Sequence, residues 1–206
     1  QAMASARAQL YTDYGALLLS PAYTLPDPNI GYLTRYAPGT RENGGVYCHA
    51  ACWAVLAERR VNGADAAYQL WRSFCPPVRA ANPDDYAGEP YVMPGNVAGQ
   101  QAAIPGQAGW TWYTGSGGWY LRALVEGVLG IEAGHDGLHL NVDLPVGWDQ
   151  FHVRRVYRGA TYDIDIAHNY KNERSPSQVV MIGNIVARSP MATNTGESIV
   201  FGIDST

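Results

Sequence analysis

Tyr113-Thr114-Gly115-Ser116-Gly117-Gly118-Trp119 opens the most regular helix in the sequence, and the chain reads differently on its two sides. From Thr114 to Ile131 the apolar residues Trp119, Leu121, Leu124, Val125, Val128 and Leu129 recur at helical spacing, which predicts one buried stripe ending near Gly130. Upstream the pattern stays helical. Tyr47 to Val61 takes Val46, Trp53, Val55 and Leu56 as its apolar positions and stops at Asn62-Gly63, and Ala64 to Phe74 is ended by Pro76-Pro77. Gln1 to Leu10 is Ala-rich with no start signal before it, so the chain is expected to open inside a helix. After Gly134 the period changes: Leu138 to Val142, Phe151 to Tyr157 and Thr161 to Ile166 alternate as half-buried strands do, with Arg158-Gly159-Ala160 as a turn. Val179 to Ala187 and Ser198 to Ile203 read as two more strands. The expected class is mainly α then β, in two units covering 1–133 and 134–206.

Two loops between these elements carry unusual chemistry. Ser20 to Gly39 is long, polar and marked by Pro21, Pro26 and Pro28, and loops of that length in compact domains are usually functional. It leads into Tyr36-Ala37-Pro38-Gly39-Thr40-Arg41-Glu42-Asn43-Gly44-Gly45, with His49 following in the first turn of the next helix. That density of hydrogen-bonding groups suits a sugar hydroxyl or an oxyanion. The plainer reading makes Asn43-Gly44-Gly45 a turn, Arg41 and Glu42 solvated, and His49 an ordinary satisfied histidine. Arg79 to Trp110 is dense in Gly, Pro, Asn and Asp, with a strand-like centre at Pro90 to Met93 and Glu89 just before it, lining a pocket or capping that strand.

Backbone amides at the start of the Thr114 helix, with the positive end of its dipole, make a place where phosphate would fit. The competing explanation is that Thr114 or Ser116 caps the helix while the glycines allow tight packing. His135, His139, His152 and His168 fall among the strands without metal-ligand spacing and read as surface or structural. Cys48 and Cys52 share a helix face, but His49 lies about 100° around it, so no metal site is expected. Serine elbows, P-loops and dinucleotide fingerprints do not occur.

Composition narrows the partners. A net charge of −4 with scattered Lys and Arg supplies no basic stripe for nucleic acid. No apolar run approaches the roughly 20 residues that span a bilayer, and the amino terminus shows no export signal. Three cysteines, an odd number, fit a reducing cytoplasm. Six Trp and fourteen Tyr against three Phe favour rings with polar handles, which suit sugar sites.

At these motifs the sequence resembles glycoside hydrolase family 94, the inverting phosphorylases that include cellobiose, cellodextrin and chitobiose phosphorylases and the phosphorylase-like end of cyclic β-1,2-glucan synthases. Four stretches carry the resemblance: Tyr36 to His49, Glu89-Pro90-Tyr91-Val92, Gly109 to Trp119, and Leu129 to Ile131 with the Asp136-Gly137-Leu138, Leu144-Pro145 and Arg158 to Tyr162 run. The resemblance implies the last helices of an (α/α)6 barrel followed by a carboxyl-terminal β-sandwich-like domain, seen in part. It implies that His49, Thr114 and Gly115 hold phosphate, which meets the helix-terminus argument made from physics. It places Tyr36, Arg41 and Glu42 around the sugar and leaves Glu89 as a further substrate contact. Phosphate is then a substrate, and no cofactor or metal is required.

There are departures. The family usually has a Gln or acidic contact after Glu-Pro-Tyr-Val, whereas this chain reads Met93-Pro94-Gly95-Asn96. The family's general acid, an aspartate in a Trp-Asn-Asp-Gly-like motif, and an arginine that also grips phosphate do not occur in these residues. The chain therefore carries no catalytic residue of its own in this reading. The acid and the rest of the barrel are expected upstream or on another chain, the substrates are phosphate and a β-linked oligosaccharide, and the resemblance implies a homodimer. Two rival readings remain. An inverting hydrolase would need a second carboxylate roughly 6.5–9.5 Å from the acid, for which Glu42 is the candidate. A non-catalytic carbohydrate-binding module would use the aromatic rings alone.

Overall fold

The computed structural model describes residues 1–168, 179–180 and 186–188. The chain divides into a unit of Gln1–Val128 and a unit of Leu129–Thr206.

In the first unit, helix α1 (Ala2–Leu10) runs into a small hairpin of β1 (Tyr11–Thr12) and β2 (Gly15–Ala16). The long loop comes next, with one 3-10 turn at Tyr32–Arg35. Strand β3 (Val46–Tyr47) leads directly into α2 (Cys48–Ser73), which consists of two helical segments meeting at Gly63. Gly63 has φ 86° and ψ −174°, a conformation closed to residues with a Cβ, so the Asn62-Gly63 stop expected from the sequence is a sharp break between packed helices. Short helices α3 (Pro76–Arg79) and α4 (Pro83–Tyr86) each carry proline in the first turn, where its missing N–H costs nothing.

Strands β4 (Asn96–Val97) and β5 (Ala108–Gly109) precede α5 (Thr114–Arg122), which widens into a π-helical turn at Ala123–Val128. That widening corrects the expected stripe. Within the widened turn Ala123 joins Val128 inside, while Leu121, in the α-helical part before it, is 62% exposed. The strand-like centre expected at Pro90 to Met93 is turn and irregular backbone. Pairing begins instead at Asn96, which faces both Tyr47 and Gly109.

The core of this unit gathers Leu17, Val46, Cys48, Cys52, Val55, Leu70, Phe74, Tyr86, Val97, Ala123 and Val128. Trp53, expected among them, is 53% exposed. Cys52 donates its thiol proton to the Cys48 carbonyl at 3.1 Å, and burial pushes the Cys52 thiol up to about 12 and that of Cys48 in the same direction. These cysteines pack as small apolar residues. Tyr120 stacks on Trp71 at 4.6 Å, and each ring donates to the other's backbone carbonyl, which locks α5 onto α2.

Glu58 is fully buried and accepts from Arg7 Nη2 at 2.6 Å, Tyr11 hydroxyl at 2.7 Å and Asn62 Nδ2 at 2.6 Å, tying α1 and β1 to α2. Burial alone would raise its pKa, but the hydrogen bonds from Tyr11, Asn62 and Arg7 outweigh it and hold the carboxyl below its usual value. A depressed carboxyl stabilises the fold above its unfolded pKa and loses that contribution as pH falls through the folded one. Glu58→Gln is accordingly expected to lower the unfolding free energy by about 1–3 kcal/mol at neutral pH. In urea unfolding, the gap from the parent protein should narrow below about pH 4.

The described part of the second unit carries antiparallel strands. Strand β6 (Ile131–Ala133), whose first residue the periodicity assigns to the preceding helix, pairs with β7 (Leu138–Leu140). Strands β8 (Gln150–Tyr157) and β9 (Ala160–His168) form a hairpin through Arg158 and Gly159, both at positive φ, as a two-residue turn requires. The stretch expected as one strand at Val179 to Ala187 is described at its ends as β10 (Val179–Val180) and β11 (Val186–Arg188), each pairing with β9. The strand expected at Ser198 to Ile203 lies outside the described residues, as does the side chain of His168.

Phe151 and Val153 face Ile166 and Ile164 across the hairpin. On the opposite face His152 Nδ1 meets Asp165 at 2.7 Å and Arg154 Nε donates to Asp163 at 2.7 Å. His139 pairs with Asp136 at 2.6 Å, and His135 is exposed. No group of three or more metal-binding side chains forms among the described residues, and none of their helices is long and apolar enough to cross a membrane.

Candidate functional site

The antiparallel sheet β3-β4-β5 gathers the sequence motifs. β3 feeds α2 and His49, β4 closes the segment after Glu89, and β5 feeds Trp110 to Tyr113 and then α5. Gly95 is the junction of all three. Its carbonyl accepts from the Cys48 amide at 3.0 Å, and its own N–H is shared by the carbonyls of Gly109 at 3.0 Å and Trp110 at 2.9 Å. A Cβ there would stand 3.3 Å from Trp110 Cβ and 3.4 Å from Tyr113 Cγ, at the near edge of ordinary contact. The Tyr113 amide donates to Met93, so both ends of the Gly109-to-Tyr113 segment are held by backbone.

The first helical bond of α5 runs from the Gly117 amide to the Tyr113 carbonyl at 3.0 Å. The amides of Thr114, Gly115 and Ser116 therefore precede the ladder, at the positive end of the dipole. Neither plainer explanation of this segment finds support within this chain. Position Tyr113 is the N-cap with no side-chain cap, and the Ser116 hydroxyl is buried without a partner. A Cβ on Gly117 or Gly118 would meet nothing within 4 Å in this chain, and one on Gly115 would meet only His49 Nδ1 at 3.9 Å. Thr114 and Gly115 are exposed.

His49, second residue of α2, thus stands beside Gly115. Its ring lies 5.2 Å from Trp53 and 5.6 Å from Trp119, and its Nε2 is buried with no hydrogen-bond partner. This is not an ordinary satisfied histidine. The imidazole therefore lies close to a helix start whose first amides have no partner within the helix, the kind of donors an anion uses.

The other candidate residues form a second cluster. The Arg41 guanidinium lies over the rings of Tyr36 at 5.0 Å and Trp110 at 4.7 Å, while its Nε pairs with Glu42 Oε2 at 3.5 Å. Tyr47 and Tyr113 place their hydroxyls 3.4 Å apart. That hydroxyl contact first, and burial second, raise the Tyr47 phenol and keep it protonated. Glu89 accepts from the Trp112 indole at 3.0 Å. Its own backbone amide, then that indole, hold the carboxyl below its usual range, so Glu89 is an acceptor at neutral pH and not a proton donor.

Three residues here carry positive φ without being glycine: Arg41 at 50°, Trp110 at 51° and Trp112 at 63°. Such strain in bulky side chains persists where surrounding structure overrides it, and it clusters at functional sites. No local pattern of residues announces it. Asn43 is also more than the turn residue its Asn-Gly-Gly setting suggests. Fully buried, it donates to the carbonyls of Tyr23 and Tyr36 and accepts from the Tyr23 amide, which pins the Tyr36 loop from within.

Residues 1–130 match the model of the glycosyl hydrolase 94 superfamily catalytic domain. The chain belongs to that family. Among curated relatives of this glycosyl hydrolase 94 chain, the cyclic β-(1,2)-glucan synthase NdvB of Rhizobium meliloti is 37% identical over 175 residues, covering 84% of the chain and 6% of the synthase. Solabiose phosphorylase of Paenibacillus borealis is 32% identical over 87% of the chain and 23% of the enzyme. N,N'-diacetylchitobiose phosphorylase of Vibrio proteolyticus is 32% identical over 81% of the chain and 21% of the enzyme. The chain thus spans less than a quarter of the length of these relatives.

Proposed function

We propose that this chain is the phosphate-holding part of an inverting phosphorylase that cleaves a terminal β-glucosidic bond. In this reading α1, α2 and α5 are closing elements of an (α/α)6 barrel, and the antiparallel strands after Leu129 belong to a β-sandwich-like domain. A phosphate oxygen attacks the anomeric carbon, the bond to the leaving sugar breaks, and a general acid outside these residues protonates the leaving oxygen. The products are an α-sugar 1-phosphate and a shortened sugar. Since the anion is itself the nucleophile, no carboxylate base is needed, and this chain's work is to orient it.

The observation that carries the proposal is the placement of His49 against Gly115 at an open, uncapped helix start. Tyr36, Arg41, Glu42 and Glu89 supply the sugar-facing polar groups. Glu42, which a hydrolytic reading would use to activate water, is engaged by Arg41. The deciding experiment incubates the full-length protein with cellobiose, cellodextrins and β-1,2-linked gluco-oligosaccharides, with and without phosphate, and tracks the products by NMR. The expected result is α-sugar 1-phosphate only when phosphate is present. Sugar release at equal rate without phosphate would establish a hydrolase instead.

A further inference from the structure

We infer that Trp53 is a positioning residue for phosphate, acting through His49; this rests on the phosphate reading above. His49 and Trp53 are one turn apart on α2, a spacing that sets two side chains side by side. Their rings meet edge to face at 5.2 Å and 71°. Trp119, one turn beyond Gly115 on α5, lies 5.6 Å from His49 and 5.8 Å from Trp53. The three rings close a triangle joining the helix that carries the imidazole to the helix that carries the free amides. Trp119 is in turn held by the Arg122 guanidinium, 4.8 Å from its ring centre, and Arg122 donates to Glu126 at 2.9 Å.

A functional histidine is ordinarily oriented by a hydrogen bond to its second nitrogen. His49 lacks that device. Its Nε2 is buried and bonded to nothing, while Nδ1 is the nitrogen near Gly115. The flanking indoles touch the ring on two sides and limit its rotation, which keeps Nδ1 on the side of Gly115. Within this chain Trp53 is 53% exposed and lies outside the cluster of buried core residues, so its ring contacts are with His49 and Trp119. This large ring is explained by what it does for its neighbour.

The test uses the full-length enzyme and four variants: Trp53→Ala, Trp53→Phe, His49→Ala and the His49→Ala/Trp53→Ala double. Trp53→Ala should raise KM for phosphate roughly 3- to 10-fold, with kcat at saturating phosphate changed by no more than about twofold. Trp53→Phe, which keeps an aromatic edge contact, should recover most of that loss. In the double variant the Trp53 effect should vanish, because its route runs through the imidazole. An unchanged KM in Trp53→Ala, or an effect that adds in full on the His49→Ala background, overturns the inference while the phosphate reading stands. If His49→Ala itself leaves KM for phosphate unchanged, the phosphate reading has failed and this inference falls with it.

Discussion

Replacing His49 by alanine in the complete enzyme is expected to raise the apparent KM for phosphate by roughly 10- to 150-fold, the equivalent of one hydrogen bond to a charged group. The remaining donors set that size. In the proposed site the amides of Thr114, Gly115 and Ser116, which precede the first helical bond, and the helix dipole remain, so binding should weaken without being abolished. Thr114→Val removes only a neutral hydroxyl and should cost less. Initial rates over a phosphate series at fixed sugar separate two cases. A rise in KM with kcat intact means that His49 grips phosphate equally before and during attack; a rise in KM accompanied by a fall in kcat means that the grip tightens as the anion gives up charge. A KM within error of the parent enzyme would remove His49 from the phosphate site.

Much of this arrangement is legible in the sequence, for identifiable reasons. The α5 start is legible because glycines beside Thr114 and before an apolar stripe leave a chemical trace, and the break at Gly63 because Asn-Gly within a helical pattern has few other uses. The β8–β9 hairpin is legible because Phe151, Val153, Ile164 and Ile166 alternate strictly. The short strands β3, β4 and β5 are not. Two residues are too few to show a period, and these strands are held by backbone pairing around Gly95, which leaves no side-chain pattern. Trp53 reads as a core residue for a related reason. Hydropathy records that a ring is apolar, not that its neighbour four residues earlier is a histidine needing support. Asn43 reads only as a turn because a buried, fully bonded Asn and a turn Asn are spelled alike.

The same substitution, glycine to alanine, should have opposite signs at two places in this unit, and the contrast tests how the loop carrying Arg41 is held. At Gly99 a Cβ would stand 1.9 Å from the Gly44 carbonyl oxygen and 3.2 Å from Leu17 Cδ2. Backbone rests on backbone there: the Gly99 amide donates to Gly39 at 2.7 Å, and the Gly39 amide donates to Asn43 at 2.8 Å. No rotamer change can relieve a clash with a carbonyl, so the loop carrying Arg41 and Glu42 must move away and that amide bond must open. Gly99→Ala is expected to cost about 3 kcal/mol or more in stability and to weaken sugar binding along with it. Gly118 lies inside α5 with nothing within 4 Å of a Cβ, and alanine there should stabilise by about 0.5–1 kcal/mol through helix preference alone. Thermal unfolding of the two variants beside the parent protein reads both signs at once. A neutral Gly99→Ala would mean that the loop is not clamped by that contact, and the Arg41 cluster would then need another support.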